Sequence, residues 1–561
     1  MDTAKIKALA NKAREDLLTE VEGRLNAILP KGSDERLSNP EAMRRLDAAI
    51  ADRGRERVKE AAAYTWFNRL CALRFMDANG YTPTPAVTPR KSSTRPAILA
   101  DAEQGIFDPE YGFPQKVRDR VSSLLAGTAH SDNAMEDAYA ILLGAVCNHY
   151  AKPMGYLFSE EAASALLMPS GLLAQGSILH RIVDDMDEDA CKSVEVLGWL
   201  YQFYIAERKQ EVQDGFKAKG KAKRKAGAAE LGPVTQLFTP EYIVRFLAQN
   251  SLGRLWMLNH PDSPLASSME YYVAPEGDEP HAEATIASEI RVLDPACGSG
   301  HILVYAYDLL FAMYEEEGWN PGDIPAMILQ NNLRGLEIDG RAAEIARFAL
   351  EMKALERDPS FLERGIDADV RMLEPVKLEP LESADLSKPF KARSELLDAM
   401  EHMGEAGSLY VPAPDDASVI GAEIETLGDA HDDDMLKDSL RRKLNVMLAN
   451  VDALSGTYHC VITNPPYLGS GNMGAWLSDW VKEHYPEEKG DLCTCFISRG
   501  LGMTKRAGYT AEVTMQSWMF QSTYRKMRLK LIDKDGIAAM AHLGKKAFDA
   551  ISGDEIGRAH V

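Results

Sequence analysis

The spacing of apolar residues changes character partway along the chain. Up to residue 215, segments such as "RRLDAAIADRGRERVKEAAAYTWFNRLCALRFM" place apolar residues every three or four positions, which predicts amphipathic helices. From residue 231, short apolar runs alternate with helical stretches, which is typical of a parallel α/β sheet. We therefore predict a helical N-terminal domain (1–215) and an α/β domain (231–554) with a mostly parallel, Rossmann-like sheet.

Two segments interrupt this pattern. Residues 216–230, "FKAKGKAKRKAGAAE", are basic and rich in small residues, so we predict a flexible linker that also suits contact with phosphates. Residues 381–450 are polar and contain the acidic run "DAHDDDMLKD", which we interpret as an insertion of unknown role. "AERK", 206–209, has the Glu-x-Lys spacing of a nuclease motif, but its helical pattern lacks a preceding strand, so we discount that function.

Composition restricts the function classes. The chain has 561 residues, 45% hydrophobic residues and a net charge of −22, so any DNA-binding surface must be a local basic patch. No apolar run approaches the roughly 18 residues of a membrane helix. Seven scattered cysteines form no CxxC pair, and Cys493-Thr-Cys495 is too isolated for zinc. We predict a soluble, cytoplasmic protein without a metal site.

One stretch predicts a ligand-binding loop. In "RVLDPACGSGHILVYAYDLL", residues 291–293 predict a strand, Asp294 closes it, and His301 begins an apolar helix. Gly298 and Gly300 allow a tight turn and close approach of a ligand to the backbone. The helix N-terminus adds free N–H groups and positive potential.

A second strand supplies a pair of acids. "LRGLEID" ends in Glu337 and Asp339, and an acid at the tip of such a strand suits the hydroxyls of a ribose. An acid in this position can equally be a helix N-cap. The glycine loop upstream favours the ribose interpretation.

A rigid turn carries the candidate chemistry. The apolar run in "YHCVITNPPYLGSG" ends at Asn464-Pro465-Pro466-Tyr467. Two prolines exclude helix and ladder hydrogen bonds, so the chain leaves its strand in a fixed, extended shape. The turn holds an amide and an aromatic ring in place.

These motifs resemble, in residues and order, those of the S-adenosylmethionine-dependent amino methyltransferases. "DPACGSG" is similar to their cofactor motif and "NPPY" to their catalytic motif, while "QLFTPEYIVRFL" resembles the additional cofactor motif that precedes the loop in the gamma arrangement of adenine-N6 DNA methyltransferases. The resemblance implies S-adenosylmethionine as cofactor and double-stranded DNA as partner. It implies cofactor contacts from Thr239, Pro240, Asp294, Ala296, Gly298, Gly300, Glu337 and Asp339, with Asp369 a candidate for the cofactor's adenine.

The resemblance also assigns the proline turn. The Asn464 side-chain oxygen and the Pro465 carbonyl would accept the two N–H bonds of an adenine amine and aim its lone pair at the methyl-sulfonium. Tyr467 would stack on the extruded base, which is worth about 1–3 kcal/mol, and Pro466 keeps the turn stiff.

The narrower resemblance is to PglX, the adenine methyltransferases of BREX phage-defence systems. It rests on "LGWLYQFYIAERKQE", the lysine-rich segment and "GSLYVP" (407–412), and it implies other BREX proteins as partners. Alternatives are the modification part of a restriction enzyme, a protein-glutamine methyltransferase and a non-catalytic DNA-bound scaffold. The tail resembles a translated sequencing adapter, so we expect 555–561 to be non-native and the natural chain to continue.

Overall fold

The structure, a computed structural model, divides the chain into two compact units. Unit 1 is Met1–Tyr204 with Leu362–Gly365, and unit 2 is Ile205–Phe361 with Ile366–Val561. Unit 1 thus ends before the predicted boundary at residue 215. The structure describes residues 2–91, 93–159, 162–217, 224–277, 279–380, 382, 386–428, 435–544 and 556–560.

Unit 1 is helical, as the apolar spacing indicates. In the helix Thr3–Ile28, every buried residue lies on one stripe, and the Asp2 side chain caps the first turn by accepting from the Ala4 and Lys5 N–H groups. Tyr204 packs on Tyr64 at a ring distance of 5.2 Å, so the aromatic helix near Trp199 is a packed core element. The helices are Thr3–Ile28, Asp34–Ser38, Pro40–Arg53, Arg55–Ala78, Ala97–Glu103, Gln115–Leu125, Ala134–Tyr150, Gly155–Phe158, Ala162–Leu166, Ile178–Asp185 and Glu195–Tyr204.

Unit 2 contains the sheet. Its strands are β1 (Val292–Asp294), β2 (Leu333–Glu337), β3 (Val370–Met372), β4 (Tyr458–Thr463), β5 (Thr504–Met515), β6 (Met540–His542) and β7 (Ile556–His560). The order across the sheet is β3-β2-β1-β4-β5-β7-β6. β1 to β5 are parallel and β7 is antiparallel to β5 and β6. The predicted α/β class with a mostly parallel sheet is confirmed, although β1 includes Asp294 where the sequence predicted a strand over 291–293.

Helices accompany the strands of unit 2. They are Ala206–Lys217, Ala228–Thr235, Glu241–Ala248, Arg254–Asn259, His301–Glu316, Ile324–Asn331, Gly340–Leu355, Lys388–Lys391, Ser394–Glu401, Met403–Ala406, Asp416–Leu427, Met435–Leu454, Ala475–His484, Leu492–Met503, Ser517–Phe520 and Arg525–Lys530. One continuous apolar core joins Leu293, Leu336 and Val461 of the strands to helices of the segment 381–450. The helices of that segment therefore form part of the hydrophobic core of unit 2. In the described residues, no helix is long and apolar enough to cross a membrane.

The predicted linker and tail fall only partly on described residues. The two ends of the segment 216–230 belong to the helices Ala206–Lys217 and Ala228–Thr235. Between them, Ala226 N donates to Asn472 O at 2.8 Å. Residues 218–223 lie outside the described residues. The described part of the segment is thus hydrogen-bonded within unit 2. Ile556–His560, within the predicted tail, forms β7.

The order of the strands fixes where a ligand can bind. β1 has β2 on one side and β4 on the other, so the connections leave β1 and β4 in opposite directions. Such a switch point opens a crevice at the carboxyl ends of the strands. Asp294, Glu337 and Thr463 end three neighbouring strands at this edge.

Candidate active site

The loop after β1 needs glycine at two positions. Gly298 and Gly300 have φ values of +53° and +84°, which favour glycine. A Cβ on Gly300 would stand 2.9 Å from the Ala346 Cβ, so the loop also packs tightly on the helix Gly340–Leu355. Ala296 N donates to Asp294 Oδ1 at 3.1 Å, which holds the carboxylate against its own loop.

Two buried acids face this loop. Asp294 and Glu337 are 1% and 7% exposed, and burial raises the pKa of each carboxyl to about 7. Glu337 accepts from the N–H groups of Gly298 (2.8 Å), Ile338 (2.8 Å) and Asp339 (2.9 Å). Since a carboxylate offers about four acceptor positions, one remains for a ligand hydroxyl.

The two remaining predicted acids are placed differently. Asp339 caps the helix Gly340–Leu355 by accepting from Arg341 N at 3.0 Å, which is the alternative that the sequence left open. Asp369 directly precedes β3, whose first residue, Val370, lies beside Gly335 in the middle of β2. Its oxygens pair with Arg334 at 2.6 Å and Arg371 at 2.5 Å. The contact of Asp369 with the cofactor's adenine, which the resemblance implies, stays a prediction.

The segment upstream of the sheet lies against the glycine loop. The Gln236 Oε1 atom is 3.4 Å from the position of a Cβ on Gly298. Phe238 stacks on His301, the first residue of the helix after the loop, with ring centroids 4.4 Å apart. Thr239 is buried, and Pro240 directly precedes the helix Glu241–Ala248. The motif that the sequence separates by about 60 residues is adjacent to the loop in space.

The Asn464 amide is held at both ends. Its Nδ2 donates to Thr239 Oγ1 at 3.0 Å and to Leu237 O at 3.2 Å. Its Oδ1 accepts from the Tyr467 hydroxyl at 2.6 Å, and that hydroxyl lies 2.8 Å from Val513 O. An amide oxygen has two lone pairs, so Oδ1 keeps one acceptor position. These contacts fix the orientation of the amide.

Tyr467 does more here than the sequence indicated. Its predicted role is a flat face for a base, whereas in the structure its hydroxyl also orients Asn464. Burial raises the pKa of this phenol well above the ordinary value, so it stays a neutral donor at physiological pH.

The far end of the proline turn is anchored by a helix cap. After Pro465 and Pro466, Leu468 N donates to Asp491 Oδ1 at 3.3 Å. The same oxygen accepts from Cys493 N at 3.1 Å and so caps the helix Leu492–Met503. The turn is fixed by Thr239 at one end and by Asp491 at the other.

Three residues near the site escaped the sequence prediction. Ser408 Oγ donates to Pro295 O of the glycine loop, and Arg499 Nε donates to Ser408 O at 2.7 Å. The sequence shows "GSLYVP" only as a motif of the family that it resembles, and its pattern does not predict a contact with the glycine loop. Glu512 on β5 is fully buried, and neither of its carboxylate oxygens has a hydrogen-bond partner among the described residues.

The chain as a whole is similar to known proteins. The model of the Eco57I restriction-modification methylase family matches residues 331–548. The chain is 35% identical over 552 residues to "Adenine-specific methyltransferase BrxX" of Escherichia coli O9:H4 (strain HS), which covers 91% of this chain and 44% of that protein. It is 32% identical over 537 residues to "Adenine-specific methyltransferase PglX" of Lacticaseibacillus casei (strain Zhang), with 89% and 43% covered.

The chain spans less than half the length of these curated relatives. Among solved structures, one titled "cryoEM structure DrdV-DNA complex" is similar with a TM-score of 0.41 and 12% identity, covering 100% of this chain and 41% of that one. The predicted resemblance to PglX is confirmed by the two curated relatives.

Proposed function

We propose that this chain, a homologue of the PglX and BrxX adenine-specific methyltransferases, transfers a methyl group from S-adenosylmethionine to the N6 amine of an adenine extruded from double-stranded DNA. The observation that carries the proposal is the Asn464 amide, fixed by Thr239 and Tyr467 at the strand edge that also holds the glycine loop. Because the chain is shorter than its relatives, the activity of the whole protein is part of the proposal.

The residues at the strand edge fit the cofactor. The left-handed glycines leave the loop open to a ligand's approach, Asp294 offers a buried charge for an ammonium group, and Glu337 keeps an acceptor position for a ribose hydroxyl. Thr239 and Pro240 would contact the methionine part. The cofactor supplies an electrophilic methyl group on a sulfonium.

Asn464 and Pro465 orient the amine. The N6 amine is a poor nucleophile because its lone pair is delocalised into the purine. The remaining acceptor position on Asn464 Oδ1 and the Pro465 carbonyl would take its two N–H bonds, which localises the lone pair. Flipping a base costs a few kcal/mol, and stacking on Tyr467 offsets part of that cost. Because the amide is oriented before the substrate arrives, little reorganisation is needed.

The wider role follows the same relatives. We propose that the mark protects host DNA in a BREX-type defence system and that the natural protein acts with other BREX components. Duplex DNA would contact the surface through local basic segments, because the chain as a whole is acidic.

The proposal is tested by nucleoside mass spectrometry. Purified chain is incubated with S-adenosylmethionine carrying an isotopically labelled methyl group and unmethylated bacterial DNA, and the digested DNA is searched for labelled N6-methyladenine. Wild type should produce it and Asn464→Ala should not. Label in N4-methylcytosine, or only in protein glutamine, would contradict the assignment of adenine as the substrate. If the wild-type chain binds the cofactor but methylates nothing, the result would favour a non-catalytic DNA-bound scaffold.

A further inference from the structure

The helix Ala206–Lys217 contributes a lysine that the assigned motifs do not use. Lys209 is half-buried, and its Nζ donates to the backbone carbonyl of Gln236 at 2.5 Å. Its neighbour Arg208 is exposed and pairs with Glu211 at 3.0 Å. The two adjacent cations therefore occupy different environments.

Lys209 lacks a counter-charge. No carboxylate forms an ion pair with it among the residues that the structure describes, and burial lowers the pKa of its ammonium to about 8 without an opposing charge. Holding a cation away from water is costly unless an anion compensates. A half-buried lysine of this kind therefore points to an anionic ligand.

The place of Lys209 identifies the site that the anion would share. Gln236, which accepts from Lys209, is the residue whose side chain stands 3.4 Å from the Cβ position of Gly298. Three residues later, Thr239 binds the Asn464 amide. The lysine thus holds the segment whose Gln236 side chain approaches Gly298 of the glycine loop.

We propose that Lys209 binds the carboxylate of the cofactor's methionine part. This rests on the proposed function, because the anion is that of S-adenosylmethionine. The zwitterion is then recognised by two opposite charges: Asp294 for the ammonium group and Lys209 for the carboxylate. An ammonium–carboxylate contact out of bulk water is stronger than a neutral hydrogen bond, so Lys209 distinguishes the intact cofactor from an analogue without the carboxylate.

Calorimetric titration with two ligands tests the assignment. S-adenosylmethionine and its decarboxylated form share the sulfonium, the ammonium and the nucleoside, and differ only in the carboxylate. Lys209→Met should weaken S-adenosylmethionine binding by about 10- to 100-fold, the range for a charged hydrogen bond, and leave the decarboxylated form within about twofold. Lys209→Arg should keep most of the discrimination. Lys217→Met, the same change at an exposed position of the same helix, should alter neither affinity.

The alternatives give different results. Equal weakening of both ligands in Lys209→Met would show that the lysine only supports the segment at Gln236, and unchanged binding of both would show that it has no role; either result overturns the inference. If the wild-type chain binds neither ligand, the proposed function fails and this inference fails with it. Thermal unfolding of each variant identifies loss of fold, in which case Lys209→Gln replaces Lys209→Met.

Discussion

The Asn464 amide is positioned by a residue more than 200 positions earlier in the chain. Thr239 Oγ1 accepts from its Nδ2 at 3.0 Å, and Leu237 O is the second acceptor at 3.2 Å. Thr239→Val keeps the shape of the side chain and removes the acceptor. We expect the rate of adenine methylation to fall about tenfold, because one such hydrogen bond contributes about 1.4 kcal/mol and that free energy corresponds to a factor of ten in rate. Thr239→Ser should restore most of it, and a rate equal to wild type in Thr239→Val would contradict this positioning role.

Asp294 predicts a pH dependence of cofactor binding. Burial raises the pKa of its carboxyl to about 7, so the group is mostly protonated at pH 5.5 and mostly ionised at pH 7.5. Only the ionised form attracts an ammonium group, so the affinity for S-adenosylmethionine should fall about tenfold as the pH drops over this range. Asp294→Asn should bind weakly with a flatter profile.

Glu337 titrates in the same range because burial also raises the pKa of its carboxyl to about 7. Its proposed partner is a neutral ribose hydroxyl, so Glu337→Gln should keep the pH dependence that Asp294→Asn loses. A pH dependence that survives in Asp294→Asn and disappears in Glu337→Gln would reverse the two assignments.

At the scale of elements, β5 carries a buried carboxyl group whose ionisation its surroundings do not compensate. Glu512 pairs with Thr463 across the sheet, is fully buried, and has no hydrogen-bond partner for its carboxylate among the described residues. Burial raises the pKa of this carboxyl well above its ordinary value. The folded protein therefore keeps a proton that the unfolded chain releases, and its stability falls as the pH rises from about 4 through that raised pKa.

Replacing this acid should stabilise the sheet. Glu512→Met should raise the free energy of unfolding at pH 8 by roughly 1–3 kcal/mol, with a smaller gain at pH 5, as measured by denaturant titration. The matched control is Glu382→Met, because Glu382 is buried but paired with Lys443 at 2.6 Å. That change should destabilise the protein, and a destabilised Glu512→Met would refute the argument.

Most of the element pattern was accessible from sequence, and the exceptions have physical causes. Apolar runs identified β1, β2 and β4 because buried parallel strands leave little choice of residue, whereas β3 has only three residues, two of them exposed, and no such run. Asp369 forms ion pairs that the sequence does not reveal, because the register between β2 and β3 brings Arg334 beside it. In the structure it neutralises Arg334 and Arg371.

At the scale of the whole molecule, the site depends on contacts between distant segments. The glycine loop, the acids and the proline turn are short contiguous motifs, which can be identified directly in a sequence. The contacts of Thr239 with Asn464, of Ser408 with the loop and of Lys209 with Gln236 depend on how helices pack around the sheet. No local spacing encodes them, so they became visible only in the structure.

The central claim is that Asn464 in its rigid turn directs an adenine amine. It is tested most directly by modification-sensitive sequencing of host DNA from cells that express either wild type or Asn464→Ala, with the other genes of the defence locus unchanged. We predict N6-methyladenine at one recurrent sequence in the wild-type cells and none at that sequence in the variant. The same mark at full occupancy in Asn464→Ala cells would contradict the account.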